Sequence, residues 1–224
     1  MVADVVDWGT VEDVMLDMDG TVLDLAFDDY FWGELLPQRY AQRHGLSLAA
    51  AQRSLAPLFE SGHGTLKWYS LDFWSERTGL DMAALTREVA DRVALLPGST
   101  HFLETVRASG RRLWLVTNAH RDSWRVKLQR THLARYFDHV VSSHDLGVAK
   151  EQAEFWPQLR GLHAFRPERS LFVDDTMTVL DSARRYGFTQ LVAITRPNST
   201  RPARNVVSYA AVESLSALLP INAG

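Results

Sequence analysis

Residues 11–24 read VEDVMLDMDGTVLD. An apolar, partly β-branched run from Val11 to Leu16 ends on Asp17, with Asp19, Gly20 and Thr21 directly behind it. A short run of this kind, without polar alternation, predicts a strand buried on both faces. Four more runs share the design. Leu113 to Val116 (LWLV) precedes Thr117 and Asn118, and His139 to Ser142 (HVVS) is followed by Lys150. Leu171 to Val173 (LFV) precedes Asp174 and Asp175, and Leu191 to Ile194 (LVAI) is the fifth. Helical patterns fill the intervals at about 99–109, 121–129, 151–159 and 177–186, with Gly110 and Gly187 where C-terminal stops belong. Strand alternating with helix predicts an α/β protein: a parallel sheet, right-handed crossovers, and helices on both faces. Such sheets bind ligands at the carboxyl ends of their strands, which is where all these polar residues fall.

The alternation breaks between residues 25 and 95. FDDYFWGELLPQRYAQRHG and LKWYSLDFWSERTGL are rich in helix formers and aromatics and contain no convincing strand. This interval reads as a helical insertion forming a small domain of its own. Residues 1–24 and 96–224 then make the core, and Pro97-Gly98 marks the return to it.

Composition narrows the function classes. A chain of 224 residues that is 46% hydrophobic can bury a full core. The net charge of −3 argues against a nucleic-acid partner. Without cysteine there are no disulfides, thiolate metal sites or cysteine nucleophiles. The opening MVADVVDWGT lacks the basic start and apolar run of a signal peptide, and no stretch approaches a membrane span. A soluble, cytoplasmic protein with no membrane partner is expected.

Asp17, Asp19, Asp174 and Asp175 bring four carboxylates to the ends of two strands. Buried without compensation, they would repel one another and lose solvation. A hard divalent cation with oxygen ligands resolves that, and Mg2+ is the usual choice beside a phosphate. Asp-x-Asp-Gly alone is also an ordinary way to close a strand with a turn. The apolar strand before it and Thr21 after it favour the functional reading. Thr117 and Asn118 offer a hydroxyl, an amide and backbone N–H groups that can hold phosphate oxygens without adding charge. Lys150 offers a cation to stabilise an anionic nucleophile and a transferring phosphoryl group.

LDMDGTVLD, LVTN, Lys150 in VAKEQAEFW, and FVDDT occur in that order and resemble the four motifs of the haloacid dehalogenase superfamily. The resemblance spans the chain, because the insertion lies where that superfamily places a helical cap. It implies a Rossmann-like core whose tight turn and flap lie near residues 20–26. It implies that Asp17 attacks phosphorus to form an aspartyl-phosphate. Asp19 would protonate the leaving oxygen and then activate the hydrolytic water. The metal would take Asp17, the main-chain carbonyl of Asp19, and Asp175, with Asp174 as a further or water-mediated ligand. Thr117 and Asn118 would hold the phosphoryl oxygens while Lys150 balances charge. Members that displace halide lack an aspartate at the position of Asp19, so its presence favours phosphate esters. One departure is Glu151, which stands where the lysine motif often continues with proline.

Substrate choice should lie in the cap. His63, Lys67, Trp68, Tyr69, Phe73 and Trp74 form a cationic and aromatic cluster there. At helical spacing Trp68, Phe73 and Trp74 read better as the cap's own core. His63, set between glycines, and Lys67 are the candidate substrate-binding residues. His120, close behind Asn118, could line the site. LDMDGTVLDLAFDDYFW and LKWYSLDFWSERTGLD resemble the bacterial GMP/IMP 5′-nucleotidases of this superfamily, which implies a purine 5′-mononucleotide as the phosphate ester. Alternative readings are a sugar-phosphate phosphatase or phosphomutase on the same scaffold. A non-catalytic regulatory protein is disfavoured, because none of the acids or Lys150 is missing.

Overall fold

The structure is a computed structural model that describes residues 5–62 and 64–221. Six short strands form one all-parallel sheet: β1 (Asp13–Leu16), β2 (Arg112–Thr117), β3 (His139–Ser142), β4 (Ser170–Asp174), β5 (Gln190–Ile194) and β6 (Ala210–Val212), in spatial order β3-β2-β1-β4-β5-β6. The register pairs Leu16 with Leu115 on one side and with Val173 on the other. The chain therefore leaves β1 at the point where strand order reverses, flanked by the ends of β2 and β4. That reversal opens a crevice at the carboxyl edge of the sheet.

Alternate residues of each strand feed two separate cores, as the pleat requires. Val14, Leu16, Leu113, Leu115, Leu171 and Val173 pack on one face with Phe102, Leu103 and Val106 of α6 (Ser99–Ala108) and Leu128 of α7 (Arg121–Thr131). Met15, Trp114, Val116 and Phe172 pack on the other. Their partners there are Phe155, Trp156 and Leu159 of the helix Phe155–Leu162, and Val179, Leu180 and Ala183 of the helix Met177–Tyr186. A sheet covered on both sides explains why its strands read as unbroken apolar runs.

Between β1 and α6 the chain forms α1 (Ala26–Tyr30), a π-helical turn (Phe31–Leu35), α2 (Leu36–His44), α3 (Leu48–Glu60), α4 (Leu71–Thr78) and α5 (Met82–Glu88), with no strand among the described residues. It leaves and returns at one place: Asp24 N donates to Ala94 O at 2.9 Å and Leu96 N to Val22 O at 3.0 Å. Ser47, Ser70 and Asp81 cap the N-termini of α3, α4 and α5 by accepting backbone N–H bonds. Trp74 is buried against Trp32 and Phe59, with ring centroids 5.2 and 4.9 Å away, in the apolar cluster that runs on to one face of the sheet. No helix among the described residues is long and apolar enough to cross a membrane.

Two elements differ from the sequence expectation. β6 adds an edge strand of three residues, too short and too small in side chain to leave a pattern. The helix expected from Glu151 begins at Phe155, after a turn segment of residues 151–154. Residues 149 and 150 are tied down instead, Ala149 N to Gln152 Oε1 and Lys150 N to Asn118 Oδ1, both at 3.0 Å. A short 4-residue helix, α8 (Ser143–Leu146), precedes them, so the helix Phe155–Leu162 is α9 and Met177–Tyr186 is α10.

Trp156 is fully buried among Phe155, Phe172 and Phe188, and its Nε1 donates to Ser182 Oγ at 3.1 Å. Trp156→Ala should lower unfolding free energy by about 3–5 kcal/mol, read from the midpoint of urea unfolding.

Candidate active site

β1 delivers Asp17 to the crevice, and the chain turns at once. Gly20 adopts φ +85°, and its N–H donates to Leu23 O at 2.8 Å. A Cβ at Gly20 would lie 2.9 Å from Asp175 Cγ, so only glycine lets the turn after β1 approach the end of β4 this closely. Across the register from Asp17 stand Asp174 and Asp175. One carboxylate oxygen from each of Asp17, Asp174 and Asp175 lies within 4.8 Å of the others, and all three residues are buried. Three hard oxygen donors at that spacing fit a divalent cation.

Burial is the main cause that raises the Asp17 carboxyl well above the ordinary range, with Asp174, Asp175 and Asp19 adding repulsion and Lys150 opposing. Asp175 is pushed up to about 6, by burial first and then by Asp174, against Arg204 and Lys150. Lys150 is the compensating charge. Its Nζ donates to Asp17 Oδ1 at 2.5 Å, Asp174 Oδ2 at 2.8 Å and the carbonyl of Val116 at 3.1 Å. Burial works against its charged form, but the attraction of Asp17 and Asp174 outweighs it and holds the ammonium above its usual range. Arg204 Nη2 braces the other acid, donating to Asp175 O at 2.8 Å and Asp175 Oδ2 at 3.2 Å.

Thr117 and Asn118 lie buried at the end of β2 and line the same cavity as the acids. Their side chains already serve the local fold. Thr117 Oγ1 accepts from Ala119 N at 3.0 Å. Asn118 Oδ1 accepts from Lys150 N, and Asn118 Nδ2 donates to Glu151 Oε2, both at 3.0 Å. The other oxygen of Glu151 accepts from the Tyr69 hydroxyl at 2.5 Å. Burial, reinforced by the Glu151 charge, pushes the Tyr69 hydroxyl far above its normal range, so it stays a donor. The residue that departs from the lysine motif thus joins the insertion to the end of β2.

The Asp19 carboxylate turns away from the other three acids toward Lys127, whose Nζ donates to Asp19 Oδ1 at 2.8 Å. The same ammonium donates to Asp28 Oδ1 at 2.7 Å and Oδ2 at 2.9 Å. Burial and the charge of Asp19 raise Asp28 to about 7, against the pull of Lys127. A cavity of about 500 Å³ joins these groups, walled by Trp32, Phe59, Trp68 and Tyr69 on the insertion side and by His120 on the core side. Lys67 is exposed and does not line this cavity, and His63 lies outside the described residues.

Lys127, Asp28, Glu151 and Arg204 escaped the sequence reading as site residues. For Lys127 a signal existed: it sits three residues after Trp124 and one before Leu128, on the apolar stripe of α7, where a solvated lysine does not belong. Glu151 carried only its unusual place after Lys150. Asp28 and Arg204 had no local pattern to single them out.

Known proteins share this architecture. The family model for haloacid dehalogenase-like hydrolases matches residues 14–187. The chain is 36% identical over 213 residues to the GMP/IMP nucleotidase YrfG of Escherichia coli (strain K12), covering 95% of this chain and 96% of that protein. The pyrimidine 5′-nucleotidase YjjG of the same organism is 31% identical over 109 residues, 46% of this chain and 48% of that one. Among solved structures, a HAD phosphatase from Thermococcus onnurineus matches with a TM-score of 0.78 at 23% identity, over 93% of this chain and 96% of that chain.

Tyr69→Phe removes a hydroxyl that bridges to a charged acceptor. It should cost about 1–3 kcal/mol in urea unfolding. Glu151→Gln, which discharges the acceptor, should reduce the effect of adding Tyr69→Phe in a double-mutant cycle.

Proposed function

The chain belongs to the haloacid dehalogenase-like hydrolases and is a phosphatase; from that premise we propose that it hydrolyses purine 5′-mononucleotides, GMP and IMP foremost, through an aspartyl-phosphate on Asp17 with Mg2+ as cofactor. The carrying observation is the buried convergence of Asp17, Asp174 and Asp175 around the Lys150 ammonium. The purine preference rests on the likeness to the E. coli GMP/IMP nucleotidase along nearly the whole chain. The aromatic wall of the cavity, Trp32, Phe59, Trp68 and Tyr69, supports it by offering faces on which a base can stack.

In this reading Asp17 attacks phosphorus with one carboxylate oxygen, and the Lys150 ammonium bonded to it favours the ionised form against the burial that opposes it. The bond from phosphorus to the ribose 5′ oxygen breaks, and its electron pair goes to that oxygen, which takes a proton from Asp19. A water then attacks phosphorus and gives a proton to Asp19; the bond from phosphorus to the Asp17 oxygen breaks, its electron pair returns to the carboxylate, and phosphate leaves. Lys150 holds charge opposite the phosphoryl oxygens throughout, and Thr117 and Asn118 at the end of β2 would receive them. The carboxylates of Asp17, Asp174 and Asp175 and the carbonyl of Asp19 would hold Mg2+. Bound there, Mg2+ would supply charge neutralisation for the phosphoryl oxygens.

Phosphate release from GMP, IMP, pyrimidine nucleotides and sugar phosphates, with Mg2+ and with a chelator, tests the reading. Purine nucleotides should lead, and the chelator should stop turnover; a sugar phosphate as the preferred substrate would overturn the assignment. Asp17→Asn should abolish release, by at least about 10⁴-fold, with the thermal midpoint preserved. For the metal, Mg2+ at about 100 times its Kd should stabilise the protein by about 2.7 kcal/mol. Asp175→Asn should erase most of that shift in the melting temperature.

A further inference from the structure

Lys127 is a lysine with almost no solvent exposure, 1%. Removing an ammonium from water costs several kcal/mol unless its partners compensate. Here the partners come from two other parts of the fold. Asp19, on the turn after β1, gives Oδ1 at 2.8 Å. Asp28, on α1, the first helix of the insertion, gives both oxygens at 2.7 and 2.9 Å. The Phe27 ring lies beneath the ammonium, its centroid 4.9 Å from Nζ. Lys127 itself rides on α7, the helix that follows the Thr117-Asn118 end of β2. One buried cation therefore ties the turn carrying Asp19 to the insertion and to the helix behind the phosphate-facing loop.

Fold stability alone does not call for this arrangement, since apolar side chains of similar volume commonly hold helices together as well or better. What the ion bridge adds is direction. Asp19 precedes Gly20, whose φ of +85° turns the chain directly behind the acid. Lys127 fixes one carboxylate oxygen of Asp19, Oδ1. A misplacement of about 1 Å in such a group costs on the order of 100-fold in rate.

We propose that Lys127 is a positioning residue that fixes Asp19 for protonation of the leaving alkoxide, and that Asp28 makes this placement depend on the insertion. The proposal rests on the reading of Asp19 as the acid. Its chemistry separates two kinds of ester. When a nucleotide is cleaved, the electron pair of the breaking P–O bond passes to a basic 5′ alkoxide, which needs the Asp19 proton. When p-nitrophenyl phosphate is cleaved, the pair passes to p-nitrophenolate, which departs as an anion without a proton.

The test compares kcat/KM, which reports events up to departure of the leaving group, for GMP and p-nitrophenyl phosphate. Lys127→Met would strand Asp28 as an unpaired buried acid, so the decisive variant is the double Lys127→Met/Asp28→Asn, which removes both charges of the bridge together. In the double variant kcat/KM for GMP should fall about 10- to 100-fold, and that for p-nitrophenyl phosphate no more than about threefold. Asp28→Asn alone should show the same asymmetry with a smaller loss. Equal losses on both esters, no loss on either, or a double variant that fails to fold by circular dichroism would each make the bridge structural and overturn the proposal. If the wild-type protein cleaved neither ester, the phosphatase reading itself would fail, which is a different result.

Discussion

Three buried carboxylates brought within 4.8 Å of one another are the constraint around which this molecule is arranged. Like charges at that range, shielded from water, raise one another's affinity for protons and oppose the fold that gathers them. Parallel register makes the gathering unavoidable: pairing Leu16 with Val173 sets Asp17 beside Asp174 whatever else the chain does. Compensation then has to be local and cationic. Lys150 provides it between Asp17 and Asp174, and Arg204 provides it at Asp175. A divalent cation would complete the balance. The arrangement is costly for folding and useful for chemistry, because a nucleophile flanked by fixed positive charge needs no reorganisation as negative charge develops.

The same economy extends to the insertion. Its aromatic residues Trp32, Phe59 and Trp74 pack on one another, in a cluster continuous with one face of the sheet. Its helices also meet the core through charge. Asp28 reaches Lys127, and Tyr69 reaches Glu151, each a polar contact at the edge of the cavity. Glu151 in turn holds the Asn118 amide, and Asn118 holds the backbone of Lys150. A path of hydrogen bonds therefore runs from Tyr69 in the insertion to the residue that neutralises Asp17.

How far the sequence disclosed this differs between fold and site, for physical reasons. Strands buried on both faces leave unbroken apolar runs, so five of the six were visible, and the polar residues behind them pointed to the crevice. β6, Ala-Ala-Val at the sheet edge, buries too little to leave such a trace. Asp17, Asp174, Asp175, Thr117, Asn118 and Lys150 were legible because each follows a strand, and the structure brings them to one cavity. Lys127 was not, because its meaning depends on two partners 108 and 99 residues away along the chain. Lys67 drew notice through its aromatic neighbours, yet the turn that half-buries Trp68 and Tyr69 leaves it in solvent. Charge on a helix face or in a turn is read locally, whereas ion pairing is decided by the tertiary fold.

That difference bears on how the activity divides. In the proposed function the sheet edge supplies phosphate chemistry that any monoester could use, and the aromatic wall would supply faces for a base. If these were independent, substrate choice would affect binding alone. The Lys127 bridge argues otherwise, because the carboxylate proposed to move the proton is held by the same cation that holds the first helix of the insertion. On the proposed reading, a substrate seated against Trp32, Phe59 and Trp68 would settle the insertion, and through Asp28 and Lys127 it would settle Asp19 as well. Binding energy gained far from phosphorus can then be expressed in the chemical step, which is how an enzyme gains rate rather than mere affinity.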